Sequence, residues 1–192
     1  MLLKERRFTS TNLNLAVKIP VINLTLTMRP QPITPQPGQE SVWDYPRPPR
    51  LERSQKPIKI VFNGITLAET NRAYRVLETS HPPVYYISPE DIKMEYLQAG
   101  SPQKSFCEWK GVAGYYTVKV EDKQAQNAGW YYSNPTPEFA EIKDYVAFYP
   151  GMMDACYVDG ELVQPQPGQF YGGWITSDIV GPFKGEPGSW GW

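Results

Sequence analysis

Histidine and cysteine are almost missing from this chain: one histidine, His81, and two cysteines, Cys107 and Cys156, in 192 residues. Two cysteines do not make the disulfide framework of a small secreted domain. With a single histidine they complete a four-ligand zinc site only if a carboxylate joins them. The expectation is reduced thiols in a cytoplasmic protein with no bound metal and no cofactor. Long apolar runs are missing too, so nothing has the length of a membrane span. Neither a Walker lysine motif nor a Gly-x-Gly-x-x-Gly fingerprint occurs, and no repeat at solenoid or propeller spacing is visible. Strong charge of one sign is also lacking, the formal net charge being −1. Five of the basic residues (Lys4, Arg6, Arg7, Lys18, Arg29) lie in residues 1–36 against Glu5 alone, so the remainder is acidic. That balance opposes attraction to a phosphate backbone and argues against nucleic acid as a partner.

Proline and aromatics are abundant, with 20 prolines and 14% Phe, Trp and Tyr. Proline excludes long helices, and aromatics suit pleated, half-buried strands. A mainly β fold is expected, built of compact antiparallel sheets with one or two short helices. Residues 1–27 read as a disordered leader or upstream extension, basic and rich in Ser, Thr and Asn. Residues 28–57 form a Pro-rich arm of polyproline II character. Trp43 and Tyr45 within it suggest that the arm lies against the domain. The β domain covers 58–163, and a Gly/Pro-rich aromatic tail over 164–192 wraps it, including Phe170, Tyr171, Trp174 and the terminal Trp190-Gly191-Trp192.

Asn63-Gly64 separates Ile58–Phe62 from Ile65–Glu69, and Asp159-Gly160 follows Tyr157-Val158. Both pairs are hairpin signals, because the turn residues must accept positive φ. Further strands are expected at Tyr74–Glu78, Val84–Ile87, Gly114–Val120, Gly129–Tyr132 and Tyr145–Tyr149. Ser88-Pro89-Glu90-Asp91 reads as the capped start of a short helix reaching Leu97, and Pro137–Lys143 as a helical turn.

Three constellations carry candidate chemistry. Arg72, Glu78 and Lys110 lie inside or beside apolar strand patterns, where a charge must be paired or face a polar cavity. They can form the polar floor of a pocket walled by Tyr86, Trp109, Tyr116, Trp130 and Tyr132. The competing reading makes them ordinary surface charges. Cys107, beside Lys110, is a candidate nucleophile needing a base, and His81 is the one histidine available. The alternative is a structural cysteine. Asp159 and Glu161 mimic the acidic pair of a metal-dependent nucleotidyltransferase, or are simply a solvated turn.

Thr70-Asn71-Arg72-Ala73, Pro83-Val84-Tyr85-Tyr86-Ile87, Cys107-Glu108-Trp109-Lys110-Gly111, Trp130-Tyr131-Tyr132 and Val158-Asp159-Gly160-Glu161 resemble, in order, the motifs of the uncharacterised family DUF427. The resemblance runs from about Ile58 to Val163, and the arm and tail resemble those of longer members. It implies a β-tent, two antiparallel sheets meeting at an angle. It also brings a nucleotidyltransferase label. The relatives of that shape hold zinc through two Cys-x-x-Cys pairs, which this chain lacks.

Three function classes follow. The first is a small-ligand-binding module whose aromatic pocket includes Arg72, Glu78, Tyr86, Trp109, Lys110, Tyr116 and Trp130. The second is an enzyme, through Cys107 or through Asp159 and Glu161. The third is an interaction protein or homo-oligomer docking through its arm and tail.

Overall fold

The computed structural model describes residues 30–168, 170–189 and 191–192. The leader expected over 1–27 and the terminal Trp190 lie outside the described residues. The chain is mainly β, in short and mostly antiparallel ladders, and among the described residues no sheet closes into a barrel.

Both hairpin signals form turns. Asn63 and Gly64 take φ of 47° and 72° between Ile58–Phe62 and Ile65–Thr70. Asp159 and Gly160 take 52° and 78° between Ala155–Val158 and Glu161–Leu162. Ala155–Val158 pairs antiparallel with Ile58–Phe62, joining the two hairpins in one four-stranded sheet. A second sheet is built on the long hairpin Gly111–Val120 and Lys123–Tyr131, flanked by Val146–Phe148 on one side. Leu97–Ala99 and Ser105–Cys107 share its other edge. A third sheet orders Arg50–Arg53, Tyr74–Leu77 and Val84–Tyr86. It continues toward the second through paired backbone bonds between Ile87 and Val146, each 2.9 Å.

Side chains alternate across a strand, and here the alternation divides the apolar residues between two cores. Tyr85, Ile87, Val118 and Phe148 join Ile58, Ile60, Phe62 and Leu67 in the first. Their sequence neighbours Tyr86 and Ala147 belong to the second, with Tyr74, Val76, Tyr115, Trp130 and Tyr132. A register shift between Ala125 and Gly129 lets Ala128 face the first core and Trp130 the second.

Arm and tail fold against each other. Glu40–Ser41 pairs in parallel with Ile179–Val180, burying Val42 and Tyr45 with Leu77 and Ile179. Arg75 ties the arm down, meeting Glu40 at 3.0 Å and Glu52 at 2.5 Å. Trp174 of the tail is 1% exposed in the first core, and its indole N–H donates to the Phe148 carbonyl at 3.1 Å.

Three expectations need correction. The helix from Ser88 to Leu97 is instead two single 3-10 turns, Pro89–Asp91 and Met94–Tyr96. Ser88 does cap the first, but the neighbouring strand intervenes: Ile92 bridges Ala68, and Lys93 N–H donates to the Leu67 carbonyl at 2.9 Å. Backbone groups bonded across to that strand cannot also close helical turns. The Pro-rich arm contains a strand, Arg50–Arg53, held to Tyr74–Leu77. The strand expected at Gly129–Tyr132 begins earlier, at Lys123, because a polar outer face hides its alternation. Among the described residues, no helix is long and apolar enough to cross a membrane.

Candidate functional site

The second core does not close on itself. Tyr86, Trp109, Tyr115, Trp130, Tyr132 and Tyr149 border a cavity of about 420 Å³, bounded further by the arm, the 78–84 loop and the tail. That volume lies within the roughly 300–1,000 Å³ range of small-molecule sites.

The wall is rigid for identifiable reasons. The Trp130 indole N–H donates to the Tyr86 hydroxyl at 3.2 Å, and the two rings meet edge-on. Tyr149 packs on Trp130 with centroids 4.5 Å apart. Gly172 presses on the indole so closely that a Cβ there would lie 2.3 Å from it. Tyr115 and Ser105 share a 2.6 Å hydroxyl bond. Burial pushes the Tyr86 and Tyr132 phenols far above their ordinary value, and that of Tyr149 up to about 12. All three are neutral donors at physiological pH.

Lys110 is placed by the turn Glu108–Lys110, which joins Ser105–Cys107 to Gly111–Val120 with Cys107 opposite Gly111. Gly111 at φ 94° makes this three-residue connection possible. The Thr136 hydroxyl fixes it by donating to the Trp109 carbonyl at 2.6 Å. Lys110 is only 8% exposed. Its ammonium lies 5.5 Å from the centre of the Phe139 ring, and no carboxylate among the described residues is within 4.0 Å of it. Lys184, also buried, donates to the main-chain oxygen of Trp192, the last residue of the sequence, at 2.7 Å. Glu78 is held by Arg47 at 2.9 Å.

His81 completes the polar lining. Gln166 Nε2 contacts His81 Nδ1 at 3.0 Å and donates to the Lys184 carbonyl at 2.7 Å, while its Oε1 accepts the Gly173 N–H at 3.2 Å. Carbonyl and N–H at the two ends fix the amide orientation. The amide therefore donates to Nδ1, and the proton of neutral His81 sits on Nε2. Burial, with the positive charges of Lys184, Arg47 and Lys110, pulls the His81 pKa down to about 4.

Of the residues singled out in the sequence, Glu78, Tyr86, Cys107, Trp109, Lys110 and Trp130 border this one cavity, with Tyr132. Arg72 and Tyr116 do not. The strand ends at Thr70, and Arg72 turns outward to bond Asp91 and Glu90 at 2.8–2.9 Å, its side chain 53% exposed. Tyr116 sits one residue out of phase with Tyr115, so it faces the first core and stacks on Tyr131 at 4.6 Å. The partner of Glu78 is accordingly Arg47, from the arm, and neither Arg72 nor Lys110. Asp159 occupies the turn, and both Glu161 carboxylate oxygens accept from Ser177, at 2.6 and 2.7 Å. Arg47, His81, Gln166, Tyr171 and Lys184 were missed as lining residues. Two of them carried a signal: His81 as the one histidine available to Cys107, and Tyr171 through the aromatic and glycine density around it.

A larger hollow of about 820 Å³ adjoins the first, sharing Ser105, Tyr115, Tyr149 and Tyr171, but with Lys104 as its one charged lining residue. The convergence of charges favours the smaller cavity as the site. Residues 50–159, more than half of the chain, match the model of the family described as a domain of unknown function, DUF427. No curated protein matches the chain.

Proposed function

The chain belongs to the DUF427 family, and we propose that it is a small-ligand-binding domain whose β-tent-like sheets frame the aromatic cavity. One observation carries this reading: Lys110, nearly buried and without a carboxylate partner among the described residues, borders a hollow walled by Tyr86, Trp109, Trp130 and Tyr149. A buried charge is costly unless something compensates it, and rigid aromatic walls lose little conformational entropy on binding. The wall residues would hold a planar or apolar body, and Lys110, Lys184 and His81 Nε2–H would orient its polar end.

A thiol-enzyme reading has less support. Cys107 borders the same cavity, but the one histidine there already carries a proton on Nε2, while its Nδ1 accepts from Gln166. No ring nitrogen is left to take the thiol proton. The nucleotidyl-transfer reading has less still, since Ser177 engages Glu161.

The test is ligand screening by thermal shift and tryptophan fluorescence on the full chain. Compounds that raise the melting temperature should lose the effect in Trp130→Ala and Lys110→Met and keep it in Arg72→Ala. Hits that survive both cavity substitutions would end the proposal.

A further inference from the structure

The charges of the cavity lining do not balance. Arg47, Lys110 and Lys184 stand against Glu78 and Glu108. Glu108 is exposed, at the turn that leads into Lys110. Glu78, the inner carboxylate, is bound by Arg47 at 2.9 Å and is not within 4.0 Å of the Lys110 ammonium. Lys184 is engaged by the main-chain oxygen of Trp192 at 2.7 Å, so the charge left to account for is that of Lys110. For Lys110, the face of Phe139 is the one compensating group among the described residues. A ring quadrupole offsets only part of the loss of water around an ammonium.

Resting on the ligand-binding reading above, we infer that the cavity receives a small organic anion: a planar, ring-sized body among Tyr86, Trp130 and Tyr149, with a carboxylate-type oxyanion meeting Lys110 and the His81 Nε2–H. A cationic or neutral ligand would leave Lys110 uncompensated. A bulky polyanion would exceed both the space and the charge available. The state of His81 agrees with this assignment. Arg47, Lys184 and Lys110 all oppose its protonation, Gln166 and the Tyr171 ring (4.6 Å away) are uncharged neighbours, and no carboxylate among the described residues bonds it. Burial is the larger cause of the neutral ring, and the positive field that adds to it is the field an acid group would enter.

Because the chain has a single histidine, its imidazole resonances report on the site without assignment ambiguity. The experiment uses the full chain with 1-naphthoate, 1-naphthamide, 1-naphthylmethylammonium and 1-naphthyl phosphate, read by tryptophan quenching and by the His81 NMR titration. Naphthoate should bind at least tenfold more tightly than the amide, and the ammonium compound more weakly than either. Saturating naphthoate should raise the His81 pKa from about 4 by at least one pH unit. Lys110→Met should bring naphthoate down to the amide's affinity, and Lys110→Arg should restore part of the difference. Tighter binding of the phosphate would keep the anion site and name phosphate as its group. Equal affinity for anion, amide and cation, or a His81 titration unmoved by bound naphthoate, would overturn the inference while leaving a ligand cavity. If Lys110→Met does not fold, the His81 titration of the unmodified chain still decides. Failure of all four compounds to bind would bring down the ligand-binding reading itself.

Discussion

Gln166 and His81 each settle the other's hydrogen-bonding state. The amide bridges His81 Nδ1 and the Lys184 carbonyl at 3.0 and 2.7 Å, which commits the imidazole to one tautomer and joins the 78–84 loop to the tail. A charged imidazole would lose that bond, because its Nδ1 would become a second donor facing a donor.

Acid stability should therefore show a histidine step. His81 titrates near 4 in the fold and at 6.5 when unfolded, so between those values the unfolded chain binds the extra proton. Stability should be full above pH 6.5 and decline as pH falls toward 4. At about 1.4 kcal/mol per pH unit, the loss amounts to roughly 3 kcal/mol. The depressed carboxyls of Asp91, Asp154 and Asp178 act at lower pH, as they begin to protonate. Urea unfolding at intervals from pH 4 to 7 measures the step. His81→Asn, whose amide oxygen can accept from Gln166, should flatten it, and an unchanged slope in that variant would contradict the assignment.

Trp174 should be essential to the fold although it lies in the tail. Truncating a buried tryptophan typically costs about 3–5 kcal/mol, and Trp174→Ala also leaves the Phe148 carbonyl without its indole donor. Chemical denaturation should find a loss of that size. A loss below about 1 kcal/mol would mean that the tail is an appendage.

Gly172 should tolerate no side chain. Alanine there collides with the Trp130 ring at 2.3 Å and must push the indole into the cavity, costing about 1–3 kcal/mol by overpacking. Gly151→Ala meets only ordinary contact, at 3.5 Å, and serves as the control. Tryptophan emission and thermal melting should change in Gly172→Ala alone.

The two thiols should differ in reactivity. Cys107 is half-buried on the cavity, while Cys156 is buried and its thiol is pushed far above the ordinary range by desolvation. Iodoacetamide at pH 8 should label Cys107 and spare Cys156, as peptide mass spectrometry would show, and a cavity ligand should slow the labelling. Equal labelling of both would mean that the native core opens.

The local features of this fold were readable and the parity of its strands was not. Asn63-Gly64 and Asp159-Gly160 announce their hairpins because positive φ restricts the residues that can stand there. Lys110 and Trp130 were legible as site residues because charge and indole stand out within apolar runs. Tyr115 and Tyr116 are chemically alike, and which one faces the cavity depends on where the strand begins. A slip of one residue exchanges the faces, and that slip put Tyr116 in the site. Arg72 was misread because the strand stops at Thr70, two residues earlier. His81, Gln166 and Lys184 meet only through tertiary folding, across 85 and 18 residues of chain, beyond the reach of any local pattern. The strand Arg50–Arg53 is concealed by its own charges, since Glu52 earns its place by meeting Arg75.

The parallel clasp between Glu40–Ser41 and Ile179–Val180 has a consequence for how such a domain is excised. Residues 50–159 cut out alone would keep the aromatic floor but lose Arg47, Gln166, Tyr171 and Lys184. Such a fragment would present an open trough with the opposite charge balance, Glu78 having been stripped of its counter-ion. Screening a minimal piece would interrogate a different receptor from the one the whole chain assembles.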